Sequence, residues 1–175
     1  MALHAHYSSS ILDFTQTDSA LICAQLAASD SNWLSKIELL KHQLNQLPHL
    51  AGDIILGLLD LETELDIEAV ILYRGLVFPI AIDLDNEQYQ DAAKANIHQQ
   101  ARVLKEQHHA SAEKFIVPIL LAVKATPQGA AIAVSEDLVA STMCDTGEHL
   151  AAMIEHFSNQ YKDDQIILSE WLSDS

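Results

Sequence analysis

Apolar residues recur at helical spacing over residues 8–27 and again over 31–47, where Trp33, Ile37, Leu40, Leu44 and Leu47 follow one another by three or four. Asp30 or Ser31 can cap the second of these helices, and Pro48 follows its end. The pattern then changes. Asp53–Leu59, Leu65–Tyr73 and Leu76–Leu84 are rich in Ile, Leu and Val, as buried or half-buried strands are, and Arg74-Gly75 reads as the tight turn joining the last two. Helical spacing returns from Glu87 to His109, with Tyr89, Ala93, Ile97, Ala101 and Leu104 on one face. Phe115–Val123 reads as a buried strand and Ala130–Val134 as another. Asp145–Tyr161 is a last amphipathic helix through Leu150, Ile154 and Phe157, and Ile166–Leu168 a short final strand or extended tail. The predicted order is ααβββαββαβ. Its central strand–long helix–strand unit is a crossover, which joins parallel strands and lays its helix on one face of a mixed sheet.

Composition narrows the class. The chain has 175 residues, enough for one domain with a real core, and 49% of them are apolar. Five Gly and four Pro argue against linkers and turn-dense folds. No apolar run is long enough to span a bilayer, and residues 1–10 carry no basic-then-apolar leader. Cys23, in the apolar run Leu21–Ala24, and Cys144 make no disulfide framework, so a reducing cytoplasm is the simplest location. The formal net charge of -16 leaves few cations to displace counterions from phosphates. Nucleic acid and anionic membrane are therefore disfavoured as partners, and a basic protein is favoured. A homodimer is compatible with everything in the sequence.

An ordered series of residues gives the chain a family likeness. Tyr7-Ser8-Ser9-Ser10-Ile11 with Phe14 forms an opening helix, and Trp33, Ile37, Leu40 and Leu44 a second. Leu65-Asp66 is followed by Val70-Ile71-Leu72, then by Ala101, Leu104, Lys105, His108 and Ser111, by Val117-Pro118-Ile119-Leu120 and by Glu170-Trp171. In this series the chain resembles bacterial proteins in which a PD-(D/E)XK nuclease-like domain precedes a DNA/RNA helicase of Schlafen-helicase type. The likeness spans nearly the whole chain, without the helicase. It implies a restriction-endonuclease-like α/β domain over 1–175. Such a domain has a central mixed sheet flanked by helices, two N-terminal helices and a long crossover helix.

The same resemblance implies a chemistry that this sequence lacks. Such nucleases hold Mg²⁺ with an Asp on one strand and an acid on the next, and a Lys two residues beyond that acid orients the attacking water. Asp66 matches the first position. The acid and the lysine fall on Ala81 and Asp83, so one ligand is lost and the lysine has reversed sign. Basic positions near the first Asp correspond to Asp60 and Glu64, and a Gln and Tyr pair on the crossover helix to Asn96 and Gln100. The expectation is a catalytically degenerate nuclease-like domain, a pseudoenzyme serving as an interaction or regulatory module, with a mobile-element or defence setting implied by the family alone.

Charge is concentrated in one stretch. Between Asp53 and Asp91 ten carboxylates face Arg74 alone, a net of -9. Asp60, Glu62, Glu64, Asp66 and Glu68 alternate with apolar or small residues. On a continuous strand they would share one face at ~6.6 Å spacing, with Asp83 and Asp85 continuing the pattern next door. Three readings follow: a solvated face, a docking face for a basic protein, or a Mg²⁺ or Mn²⁺ site of Asp66, Asp83 and Asp85 serving a divergent nuclease. An acidic decoy for a nucleic-acid-binding protein is a special case of the second. His4 and His6, His108-His109, and His149 with His156 read as surface histidines rather than metal ligands. Cys144 near Asp145 and His149 lacks an oxyanion-hole signature and is rejected as a nucleophile. No Walker A loop, dinucleotide fingerprint or CxxC pair is present, and no cofactor is expected outside the metal reading.

Overall fold

The computed structural model describes residues 3–26, 32–47, 52–127 and 132–173. Its elements are β1 (His4–Ser10), α1 (Ile11–Gln16), α2 (Ser19–Gln25), α3 (Asn32–Leu44), β2 (Gly52–Asp60), β3 (Leu65–Tyr73), β4 (Leu76–Asp83), α4 (Asp91–Gln107), β5 (Ile119–Ala122), β6 (Met143–Asp145), α5 (Leu150–Tyr161) and α6 (Leu168–Ser173). The six strands form one mixed sheet in chain order. β1 to β4 pair antiparallel, and β4, β5 and β6 pair parallel. The parallel step from β4 to β5 is made by α4, the crossover expected from the sequence. This is an α/β architecture with helices on both faces of the sheet.

Strand alternation builds two cores. On one face Ile54, Leu56, Ala69, Ile71, Phe78, Ile80 and Leu121 pack against α1, α2, α3 and α5 through Phe14, Ile22, Ile37, Leu40, Ile154 and Phe157. On the other face Ile55, Val70, Leu72, Val77 and Ile116 pack against α4 and α6 through Ile97, Ala101, Leu104 and Trp171. Both strand faces are thus apolar, which is why β2 to β4 read as near-continuous hydrophobic runs. Among the described residues no helix is long and apolar enough to cross a membrane.

Several elements depart from the sequence expectation. Of the segment 8–27, the described residues 8–26 are the end of a strand followed by two short helices. His4–Ser10 pairs with β2 from His4↔Leu59 to Ser10↔Asp53. Ser10 then caps α1, its Oγ accepting from the Asp13 amide at 3.1 Å. β5 covers only Ile119–Ala122 of the expected 115–123, though Ile116 bridges Val77 and Val139. In place of a strand at Ala130–Val134, the described residues 132–134 make one isolated bridge, Val134↔Ala140, and the last strand is Met143–Asp145. The helix expected from Asp145 starts at Leu150, because the Asp145 carboxylate is taken up in organising the turn before it. Ile166–Leu168 leads into α6 rather than forming a strand. The Arg74-Gly75 turn is as expected, with φ of 51° and 82°, the double positive φ of a tight hairpin. The capping positions Asp30 and Ser31, as well as Pro48 and Ala130, lie outside the described residues.

The C-terminal segment is held by a buried polar network. His108 is fully buried. Its Nε2 lies 2.7 Å from the Trp171 carbonyl oxygen, which can only accept, so Nε2 carries the proton. Nδ1 must then accept from the Ser111 hydroxyl at 2.8 Å, and Ser111 Oγ in turn accepts the Trp171 Nε1–H at 3.0 Å. The two rings meet edge to face, their centroids 4.7 Å apart. Lys105, also buried, donates to the carbonyls of Ala112 (3.1 Å) and Lys114, and burial pushes its ammonium below the ordinary range. Replacing Ser111 by Ala leaves one ring nitrogen and one indole N–H without this partner in a dry core. The expected loss is about 2–4 kcal/mol in urea unfolding at unchanged m-value, and a loss under ~0.5 kcal/mol would refute the network's role.

Candidate functional site

A polar cleft at the end of β4 is created by a break in the sheet's alternation. Gly57 has φ of +66°, and a Cβ there would stand 2.6 Å from His6 Cδ2, so only glycine fits without displacing that ring. On either side of it, Leu56 pairs with Ala69 and Leu58 with Ile67. Leu56 and Ala69 belong to one core, Leu58 and Ile67 to the other. Residues two apart should share a face, so the strands swap faces across the step holding Gly57 and Glu68. Next door, the β3–β4 ladder ends at Ala69↔Ile80. Past that pair the Glu68 side chain replaces the ladder, its Oε1 accepting from the Ile82 amide at 3.3 Å.

The resulting cleft encloses about 270 Å³ and is lined by Glu68, Ala81, Asp83 and Asp85, with Lys36 from α3 and Asn96 from α4 among its walls. Lys36 Nζ lies 2.7 Å from Glu68 Oε2, with only 12% of the lysine side chain exposed. The contact is off the hydrogen-bond axis, and its strength is coulombic. The ammonium also sits 5.1 Å from the centre of the Trp33 ring. Asp83 closes the strand end on itself. Its Oδ1 accepts from the amides of Asp85 (2.9 Å) and Asn86 (3.0 Å), and its Oδ2 from the Asn86 side chain at 2.7 Å. Burial pushes this carboxyl up, but the Asn86 and Asp85 donors, with the Lys36 charge, outweigh burial and hold it below the ordinary carboxylate range.

The expected row of acids is not a row. Asp60 ends β2, is 8% exposed, and accepts from Thr63 N at 3.1 Å and Thr63 Oγ1 at 2.6 Å. This capped turn carries Leu61 to Glu64 off the strand, and Glu64 has a φ of 59°. Only Asp66 and Glu68 of the series stand on β3. Glu62, Glu64 and Asp66 are exposed, beside a Leu61 that is 90% exposed. Asp83 and Asp85 line the cleft, whereas Asp66 does not, so the trio Asp66, Asp83 and Asp85 is not assembled around it. Ala81 and Asp83, where an acid and a lysine were expected, do line it.

A divalent cation fits these residues poorly. Ala81 supplies no ligand, the Asp83 oxygens serve the Asn86 turn, and a lysine ammonium already sits against Glu68. Among the described residues, no group of three or more His, Cys, Asp or Glu could hold a metal ion. The other candidates also resolve into local contacts. His149 Nδ1 lies 3.0 Å from Asp145 Oδ1, and Asp145 Oδ2 accepts the amides of Gly147 and His149, both at 2.9 Å. That carboxylate organises the entry to α5, and burial pushes the neighbouring Cys144 thiol up, away from a reactive thiolate. His156 packs edge-on against Phe157, and His4, His6 and His109 are exposed.

Lys36 is the residue that sequence reasoning overlooked. A signal was present, since it falls three after Trp33 and four before Leu40, a cation on a buried helical stripe. Comparison of the chain with protein-family models, with curated proteins and with solved structures gave no match in any of the three. Its function is therefore argued from the cleft and the surface.

Because the donors around Asp83 hold its folded-state pKa below the unfolded value, its contribution to stability is complete above about pH 4. That contribution is lost as pH falls through the lowered pKa. Asn86→Ala removes the largest of the lowering contacts. A carboxyl-carbon NMR titration should show the Asp83 midpoint rising in the variant, and an unchanged midpoint would disprove the assignment.

Proposed function

We propose that this chain is a catalytically degenerate, restriction-endonuclease-like domain that acts as a non-enzymatic interaction or regulatory module for a basic protein. The observation that carries the proposal is the pair Ala81 and Asp83. Both line the cleft, and neither can do the work of the acid and the lysine that the resemblance puts at these positions. The hairpin β3–β4, the crossover α4 and the parallel β5 are consistent with that family plan. A divergent nuclease built on Asp66, Asp83 and Asp85 is less well supported, because Asp66 stands outside the cleft.

The interaction half of the proposal rests on charge and exposure. With a formal charge of -16, the chain attracts cationic surfaces over about a Debye length. The turn after β2 presents Leu61 among Glu62, Glu64 and Asp66, an apolar tip inside a carboxylate rim. Such a surface suits a basic face with a shallow apolar recess. If that face normally binds nucleic acid, the chain is a decoy.

Two measurements test the two halves. Incubation with plasmid, single-stranded DNA and RNA in Mg²⁺ or Mn²⁺ should give no cleavage above that of a Glu68→Ala/Asp83→Ala control. Turnover lost in the control overturns the non-catalytic reading. An Arg-rich fluorescent peptide should bind with an affinity that falls steeply with salt. Glu62→Lys/Glu64→Lys should weaken it by about tenfold, the size of a few tenths to 1 kcal/mol per exposed charge pair summed over two reversals. Equal binding by the variant rules out the turn as the docking point.

A further inference from the structure

We propose that the Lys36 ammonium is the resident cation of the cleft, a positive charge tethered to α3 that stands against Glu68 in place of a divalent metal. The inference deepens the non-catalytic reading, and rests on it for the expectation that a cation belongs at this point of the fold.

Three observations carry it. First, the break at Gly57 and Glu68 directs the Glu68 carboxylate toward β4, where Oε1 takes the Ile82 amide, and Glu68 lines the cleft. Oε2 is shielded from solvent and has no hydrogen-bond donor in good geometry, so something positive must offset its charge. Second, Lys36 Nζ stands 2.7 Å from that oxygen, with its aliphatic stem buried along α3 and the Trp33 ring beside it. Third, the ammonium acts beyond Glu68, since its charge is one of those that hold Asp83, another of the cleft's acids, ionised.

A lysine can do the electrostatic part of a metal's work here and none of the chemical part. It offsets the Glu68 charge where that carboxylate takes the place of the strand ladder. It has no vacant coordination position, cannot bind a water and lower its pKa, and cannot bridge phosphate oxygens. Holding the cation on α3 also ties α3 to the β3–β4 break. The cleft is thereby fixed without dependence on metal supply.

If Lys36 fills a cation's place, removing it should open that place. Wild-type protein and Lys36→Ala are titrated with Mn²⁺ by calorimetry, and line broadening by Mn²⁺ is followed at the Ile82 amide, which sits on Glu68. The wild type should show no stoichiometric site. Lys36→Ala should melt at a lower temperature, bind Mn²⁺ at least tenfold more tightly than the wild type, recover its melting temperature with the metal and broaden at Ile82. Lys36→Arg, which keeps a cation, should gain nothing, and Glu68→Gln in the Lys36→Ala background should abolish the gain. Should Lys36→Ala not fold, Lys36→Gln takes its place, and folding of either only in Mn²⁺ supports the proposal. Stoichiometric Mn²⁺ binding by the wild type at Ile82 overturns it. So does an unchanged affinity in the variant, a gain without broadening at Ile82, or failure of both variants to fold with or without Mn²⁺. These failures would leave the non-catalytic reading intact, because that reading rests on Ala81 and Asp83 and is judged by the cleavage assay.

Discussion

A single interruption of strand periodicity shapes the functional end of this protein. A strand alternates its side chains between faces, and β2 and β3 must feed two cores, so any residue whose side chain lies in the plane of the sheet breaks the rule. Gly57 provides the left-handed backbone that allows the break, and Glu68 occupies it. Without the break, Glu68 would fall in a core or in solvent, and β3 would continue alongside β4 past Ile80. With it, one carboxylate replaces a ladder hydrogen bond and opens a polar cleft at the point where the antiparallel and parallel halves of the sheet meet. Strand ends next to such a change of direction are natural places for a ligand or an ion, because backbone groups are left without strand partners.

The opposite arrangement holds at the C-terminal end, where polar groups are fully spent. His108, Ser111 and Trp171 satisfy one another in a fixed order of donors and acceptors, and Lys105 beside them closes two carbonyls. These residues come from positions 105 to 171 of the chain. In this structure they serve the packing of α4 against α6. Ala81 and Asp83, by contrast, line the cleft at the end of β4.

The boundary between legible and illegible follows the same division. Runs such as Val70–Tyr73 and Val77–Ile80 announce buried strands because both faces are apolar, and α4 announces itself by Ile97, Ala101 and Leu104. β1 was hidden because Tyr7 is its one buried residue, and Ile11 with Phe14 continues an apolar spacing that suits a helix as well. β6 was hidden by its length of three residues and by an Asp145 whose side chain turns back on the next turn. In the candidate site, Asp83 and Asp85 were expected to continue one strand alternation, whereas β4 ends at Asp83 and both line the cleft beside Ala81. Glu68 was counted among surface acids because the alternation rule does not foresee a break, and Lys36 could not be joined to it because their contact depends on tertiary packing between α3 and β3.

The distribution of acid along this chain has the same logic. Carboxylates crowded in sequence need not be crowded in space, provided each finds a local donor before it meets its neighbours. Asp60 turns to Thr63, Glu68 to Ile82 and Lys36, Asp83 to Asn86, and Asp145 to the entry of α5. What remains unneutralised around β3 is the group Glu62, Glu64 and Asp66 beside Leu61, exposed on the solvent side of the hairpin. The folded chain thus separates its acids into those that hold backbone in place and those left to act at a distance. Only the second set has charge to offer a partner, which is why the docking role is assigned to the turn and the structural role to the cleft.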